Sequence, residues 1–327
     1  MEDLTFPSIA MRIPDEDAAY QFLEELRWKG RPVCPHCGSI NQHYFLKPRD
    51  GVRKTNRGTT TQRRLWKCRD CRKPFSVITN TVMHGTHVPI RTWIFLFYEL
   101  CSNKNGLAAR EVERKYGLSP KTAWFVLHRI REAMKREPLA GLLSGTIVAD
   151  ETWIGGNPKN KHRGKTERDG HGWMTKYTDK TPVVSLINSE TGEVRSQVVA
   201  KVNAGNLRAI MDERVDMNAS VLHTDGAQVY KGFRGYFAEH HSVDHVAGEY
   251  VRDGVSTNRA ENYFSQLKRS VDGTHHHVSV EHLPRYLAEF DFRYSTCDMT
   301  DTQRMDRLMG KVAGKRLTYR PITSQDD

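Results

Sequence analysis

The sequence predicts an α/β protein: a mixed sheet with helices, preceded by a metal-stapled module and a helical region. Three observations carry this. Two Cys-x-x-Cys pairs, Cys34/Cys37 and Cys68/Cys71, stand near the N-terminus with 30 residues between them. Residues 89 to about 137 repeat their apolar side chains at helical spacing. From Gly145 the pattern changes to short apolar runs, two of which end in an aspartate, Asp150 and Asp225.

A chain of 327 residues has room for two or three domains with real cores. Composition and breakers divide it at 1–80, 81–140, 141–297 and a tail at 298–327. It contains no run of 18 apolar residues, so no membrane-spanning helix is expected. The acidic start, MEDLTFPSIAMRIPDEDAAY, lacks the apolar stretch of a signal peptide. The expectation is a soluble, cytoplasmic chain, in whose reducing surroundings paired cysteines read as metal ligands.

The formal net charge is +11, and it is unevenly placed. Residues 1–140 hold 25 Lys and Arg against 14 Asp and Glu, whereas residues 141–327 hold 25 of each. A basic block beside a neutral body suggests an anionic polymer held by one part and handled by another. Nucleic acid suits this better than a membrane surface, because no basic amphipathic helix coincides with the block.

In chain order, residues 15–27 give a short amphipathic helix with Ala18, Phe22 and Leu26 on one face. Cys34, Cys37, Cys68 and Cys71 follow with knuckle spacing and suit one structural, tetrahedral Zn²⁺. Cys101 and Cys297 stand alone and read as core residues. Between the knuckles lies a Lys/Arg-rich loop containing Arg53, Lys54, Arg57, Arg63 and Arg64. Its expected role is contact with phosphate, which positions DNA without reading it; the plain alternative is a solubilising loop. Helices follow at 89–103, about 105–115 and from Pro120, the last opened by Ser119 as N-cap and proline in the first turn. The tight turn at Tyr116-Gly117-Leu118 fits a helix-turn-helix, with Lys121, Thr122 and Arg129 reaching DNA. An ordinary three-helix bundle is the competing reading.

Pro138 and Gly141 mark a boundary. A strand at 146–149 delivers Asp150 at its end, and residues 157–180 read as a long flexible loop. Strands at 183–187 and 194–199 flank the hairpin turn NSETGE, a helix covers about 204–214, and a strand at 220–224 delivers Asp225. Thr257–Lys268 (TNRAENYFSQLK) has helical spacing, with Asn258, Glu261 and Lys268 off its apolar stripe. His275, His276 and His277 are expected in a loop leading to a helix at 279–294. Glu151 should face the other side of its strand from Asp150.

Asp150, Asp225 and Glu261 gathered at one sheet edge would repel one another unless cations sat between them. Hard oxygen ligands select Mg²⁺ or Mn²⁺, and two such ions support phosphodiester chemistry. Alone, each of these residues reads equally as a turn former or a solvated surface group.

The motifs IVADETWIGG, HTDGAQVY, TNRAENYFSQLKR and HHHVSVEHLPRYLAEFDFRY resemble the DDE transposases of bacterial insertion sequences, specifically the insertion sequence 1595 family. CPHCGS, WKCRDCRKPFSV and TNTVMHGTHVPIRTWI are similar to that family's zinc-ribbon start. The resemblance runs from about residue 15 to 295. It implies a ribonuclease H-like catalytic domain, Asp150, Asp225 and Glu261 as ligands of two Mg²⁺ or Mn²⁺ ions, and Lys268 as the basic residue seven after the glutamate. Asn258 takes a supporting, DNA-facing place. The implied activity is DNA transposition by a nucleoid-associated protein: binding terminal inverted repeats, cleaving the ends and joining the 3′-hydroxyls to target DNA, with a homo-oligomer on DNA. A catalytically inactive zinc-containing DNA-binding regulator, or a ribonuclease H-like nuclease without strand transfer, are the alternatives.

Overall fold

A computed structural model of the chain describes residues 3–40, 43–48, 53–54, 58, 60–136, 141–155, 180–243, 251–252 and 254–319. The chain divides into two units: Met1–Met134 together with Asp298–Asp327, and Lys135–Cys297.

In the first unit, α1 (Phe6–Arg12) opens with a capping box. Ser8 N–H donates to Thr5 Oγ1 at 3.3 Å, and Thr5 N–H donates to Ser8 Oγ at 2.9 Å. α2 (Glu16–Trp28) is capped by Asp15, which accepts Ala18 N–H at 2.8 Å. Its innermost residues are Ala19 and Leu23, with Phe22 and Leu26 beside them, while Ala18 is half-buried. The ribbon follows as β1 (His43–Phe45), β2 (Arg53–Lys54), β3 (Thr60–Thr61), β4 (Trp66–Cys68) and β5 (Pro74–Phe75). β1, β4 and β5 form one antiparallel sheet, and β2 pairs with β3. Trp28 of α2 meets Trp66 and Phe75 edge-on, at 6.0 and 5.8 Å between ring centroids.

α3 (Ile90–Ser102) begins after Pro89, which has no side chain able to cap it. Glu16 of α2 takes that place, accepting Ile90 N–H at 2.6 Å and Arg91 N–H at 3.2 Å. One carboxylate thus satisfies two orphan donors and locks α2 to α3. α4 (Ala109–Tyr116) ends at Gly117, whose φ of 65° is the left-handed cap that glycine adopts without a Cβ clash. Ser119 then caps α5 (Pro120–Met134), accepting Thr122 N–H at 3.2 Å.

The second unit is built on a five-stranded mixed sheet. β6 (Leu143–Ile154), β7 (Thr181–Asn188) and β8 (Val194–Val198) form an antiparallel meander, β6 with β7 and β7 with β8. After α6 (Ala204–Arg214), β9 (Val215–Asp225) returns parallel to β6, and β10 (Glu239–Val243) lies parallel to β9. The order β10-β9-β6-β7-β8 is that of a ribonuclease H-like sheet. A two-stranded ribbon, β11 (Val251–Arg252) with β12 (Val255–Ser256), precedes α7 (Asn258–Ser270), and α8 (Leu283–Tyr294) follows. Strand alternation sends side chains to two cores. Val148, Ile154, Val183 and Ile187 pack with Tyr263, Leu267 and Leu287 of α7 and α8. Ile147, Ala149, Val184 and Leu186 pack with Leu207 and Met211 of α6 and with Tyr230 and Phe233 of a 3₁₀ turn.

Four expectations are corrected. Asp150 is not at a strand end, because β6 stays paired with β7 as far as Ile154–Thr181. His275 closes a π-helical continuation of α7, Val271–His275, with its ring 4.8 Å from Tyr286, and only His276 and His277 of the three lie in the expected loop. The last helix of this unit starts at Leu283, with Pro284 in its first turn, where a missing N–H does no harm. Cys297 is exposed, although Cys101 is buried. The loop expected at 157–180 lies, except for Lys180, outside the described residues.

The segment read as a tail holds α9 (Asp301–Gly310), which packs on α2 and α3 of the first unit. Thr302 Oγ1 accepts Leu4 N–H at 2.6 Å, and Arg304 donates to the Cys101 carbonyl at 2.9 Å. Among the described residues no helix is long and apolar enough to cross a membrane.

Candidate functional site

The parallel register of β6 and β9 brings two carboxylates together. The last pair between these strands is Val148–His223, and Asp150 and Asp225 each lie two residues further on. Two residues restore the same face, and neighbouring strands are about 4.8 Å apart, so the two aspartates project side by side. β6 continues past this point because β7 still pairs with it. β9 stops at Asp225, where Oδ1 accepts Ala227 N–H at 3.1 Å and turns the chain.

Glu261 comes from α7, in its first turn. Ala260, Tyr263, Phe264 and Leu267 are buried against the sheet and leave Glu261 exposed, as they do Asn258 and Lys268. Burial pushes the Asp150 carboxyl up to about 7, reinforced by the negative charges of Glu151, Asp225 and Glu261. That is the condition a divalent cation relieves. The donor set, all carboxylate oxygen, fits Mg²⁺ or Mn²⁺. Among the described residues, however, the three carboxylates do not gather their oxygens within 4.8 Å of one another.

Glu151 does face away from Asp150, towards the α6 side, where the Tyr230 hydroxyl donates to its Oε2 at 2.6 Å. Its own N–H donates back to Asp150 Oδ1 at 2.7 Å. Tyr230 is 1% exposed. Nothing in the chain's local pattern marks this pair beyond the adjacency of an acid to Asp150.

A second unforeseen network holds α7 in place. Asp291 of α8 accepts Ser196 N–H at 2.8 Å and the Tyr263 hydroxyl at 2.6 Å, with the Ser196 hydroxyl at 2.7 Å. Burial pushes the Asp291 carboxyl up to about 6, against the pull of those donors. The folded state therefore keeps a proton that the unfolded chain releases near pH 4. This contribution is full below the unfolded value and is lost as pH rises to about 6. Its size is on the order of 2–3 kcal/mol. Melting wild type and Asp291→Asn side by side should show the variant gaining relative stability from pH 4 to about 7. A constant offset across that range would refute the shift.

The four cysteines form the second candidate centre. Cys34 Sγ lies 3.6 Å from Cys71 Sγ, Cys37 Sγ lies 3.8 Å from Cys68 Sγ, and all four fall within 4.8 Å of one another. Four sulfurs about 2.3 Å from one ion would stand about 3.8 Å apart, so this is a tetrahedral zinc-ligand set. Each knuckle ends in a left-handed residue, Gly38 at φ 74° and Arg72 at φ 58°. The Lys73 N–H holds the Cys71 thiol below its ordinary value.

Of the residues expected to reach DNA, several are engaged within the protein. Arg64 pairs with Glu24 at 3.1 Å and Asp17 at 3.5 Å and lies 4.5 Å from the Phe45 ring. Arg53 donates to the Leu46 carbonyl, Arg63 is half-buried, Lys54 is exposed, and Arg57 lies outside the described residues. Lys121 sits 4.2 Å from the Tyr319 ring, and the Thr122 hydroxyl is 2.8 Å from that of Ser119. Arg129 is a correction: it is 6% exposed, donates to the His84 carbonyl and stacks on Trp93 and Phe125. It lies one helical turn behind Phe125 on the inward face of α5, where a cation is held by rings instead of phosphate.

Two family models match the sequence. One, described as an ISXO2-like transposase domain, covers residues 142–295, and the other, a transposase zinc-ribbon domain, covers residues 14–74. Both are domains of insertion sequence 1595 elements. An uncharacterized protein in transposable element ISH50 of Halobacterium salinarum is 27% identical over 285 residues, 85% of this chain and 90% of that protein. Among solved structures, the simian T-cell lymphotropic virus intasome in complex with PP2A regulatory subunit B56 gamma aligns at 14% identity and a TM-score of 0.29, covering 64% of this chain and 74% of that one. A pre-cleavage Mos1 transpososome aligns at 11% identity and a TM-score of 0.27, covering 65% and 76%.

Proposed function

Because this chain belongs to the insertion sequence 1595 family of transposases, we propose that it binds the terminal inverted repeats of its element, cleaves the DNA ends and joins the 3′-hydroxyls to target DNA. The observation that carries this reading is the side-by-side placement of Asp150 and Asp225 on β6 and β9, with Glu261 close enough for its charge to act on Asp150.

Asp150, Asp225 and Glu261 would hold two Mg²⁺ or Mn²⁺ ions. Bound there, such ions lower the pKa of an attacking water or hydroxyl and stabilise the leaving oxygen of a phosphodiester. The chain's own part is to hold its carboxylates at fixed places. Lys268, two helical turns beyond Glu261, would face a phosphate beside the cut. Asn258, one turn before Glu261, has a weaker supporting place. Cys34, Cys37, Cys68 and Cys71 would keep one Zn²⁺ for structure alone, since four thiolates leave it no open position.

DNA holding falls to the first unit, where the basic excess lies. Lys54, Arg63, Lys121 and Thr122 are the described candidates for phosphate contact; Arg53 and Arg64 contribute through the surfaces they brace. Two ends must be handled together, so a homo-oligomer on DNA is part of the reading.

The test is direct. Protein, Mg²⁺, DNA carrying the element's ends and a supercoiled target plasmid are incubated, and the products sequenced. Junctions joining element 3′ ends to target are the expected result. Cut ends without junctions would reduce the protein to a nuclease, and end binding without cutting would make it a regulator.

A further inference from the structure

Asp150 and Asp225 are tied to one another through the far side of the sheet. Asp150 Oδ1 accepts the Glu151 N–H at 2.7 Å, and Glu151 Oε2 accepts the Tyr230 hydroxyl at 2.6 Å. Tyr230 N–H donates to the Ala227 carbonyl at 3.1 Å, and Ala227 N–H donates to Asp225 Oδ1 at 3.1 Å. Four hydrogen bonds thus run from one carboxylate to the other, and one oxygen of each, Oδ2, takes no part in them.

We infer that Glu151 and Tyr230 are positioning residues, which fix the separation and orientation of the Asp150 and Asp225 carboxylates for a divalent cation. This rests on the reading of those two aspartates as metal ligands. β6 and β9 are no longer paired at this level, since their ladder ends at Val148–His223. Asp225 still pairs with Val243 of β10 on its other side, so what the ladder leaves unfixed is its distance from β6. Tyr230 supplies a tie from the 3₁₀ turn Gln228–Phe233, packed among Phe233, Met211 and Ala149. A buried tyrosine among apolar groups requires a partner for its hydroxyl, and Glu151 is that partner. The arrangement uses the two faces of β6 at consecutive positions: Asp150 towards the ion, Glu151 towards the brace. Hydrogen-bonded groups behind metal ligands commonly set affinity in this way.

The test is Mn²⁺ binding to the DNA-free full chain, followed by the loss of the free-ion paramagnetic resonance signal, with melting temperatures recorded alongside. Tyr230→Phe removes one hydroxyl and leaves charge and volume nearly unchanged. It is expected to weaken Mn²⁺ binding by about 10-fold or more. Glu151→Ala should lose at least as much, and Glu151→Gln, which keeps an acceptor oxygen, should recover most of the affinity. A folded Tyr230→Phe or Glu151→Ala protein with wild-type Mn²⁺ affinity would overturn the proposal. Equal losses in Glu151→Gln and Glu151→Ala would also do so, in favour of simple charge attraction. Loss of fold in both Tyr230→Phe and Glu151→Ala would assign the pair to folding alone. Asp150→Ala and Asp225→Ala are the separate control: if they bind Mn²⁺ normally, the metal-ligand reading itself fails, whatever the braces do.

Discussion

Asp150→Ala and Glu261→Ala should each abolish Mg²⁺-dependent cleavage of the element's ends, while DNA binding remains within about twofold because phosphate contacts dominate it. Losing one ligand of a two-ion site removes several kcal/mol of transition-state stabilisation, so the expected loss is about 10³-fold or more. Gel assays with end-labelled DNA would read both quantities on one sample. Retained cleavage in either variant would sink the assignment. A second signature is independent of DNA. The Asp150 carboxyl, pushed up to about 7, favours the folded state at low pH and loses that contribution as pH rises through 7. Asp150→Asn should therefore melt no lower than wild type at about pH 8 without divalent ions. Adding Mg²⁺ should raise the melting temperature of wild type at that pH and leave the variant unmoved. At about pH 5 the protonated site should bind little metal and the wild-type gain should shrink.

Removal of zinc should unfold the ribbon. Its sheet has strands of only three, three and two residues, too short to persist unaided. What fastens the sheet is the cysteine cluster together with the edge-on packing of Trp28 against Trp66 and Phe75. Metal binding in such small modules amounts to roughly 10 kcal/mol or more of folding free energy. Cys68→Ser, or exhaustive chelation, should expose Trp28 and Trp66, shift their fluorescence to longer wavelength and weaken DNA binding by at least about 10-fold. Metal analysis of the native protein should give one zinc per chain. A zinc-free preparation with native tryptophan emission would refute the site.

Much of this was legible because it rests on local periodicity. The helices at Glu16–Trp28, Ile90–Ser102 and Pro120–Met134 are legible to within a few residues, and the strands that carry Asp150 and Asp225 are legible in place, although the first runs on to Ile154 and the second begins at Val215. The cysteine spacing likewise states its own chemistry. What escaped was decided by tertiary context. β10, with the sequence EHHSV, has no apolar alternation, and it becomes a strand only because β9 offers it an edge. Arg129 carries the charge of a DNA contact, but its position on α5 turns it towards Trp93. Arg64 looked like part of a phosphate-binding loop, yet two acids on α2 claim it. Tyr230 and Glu151 are 79 positions apart, a pairing that only the sheet's register creates.

The return of α9 to α2 and α3 makes the first unit, in chain order, a host and the second unit its insert. Lys135–Cys297, a guest of 163 residues, must leave the ribosome before the host receives its last helix. At about 5–20 residues per second that delay is roughly 8–30 s. The half of the chain made first is thus the last to be finished. A nascent or truncated chain ending near residue 297 would carry the whole five-stranded sheet while the first unit still lacked the Leu4–Thr302 and Cys101–Arg304 fastenings.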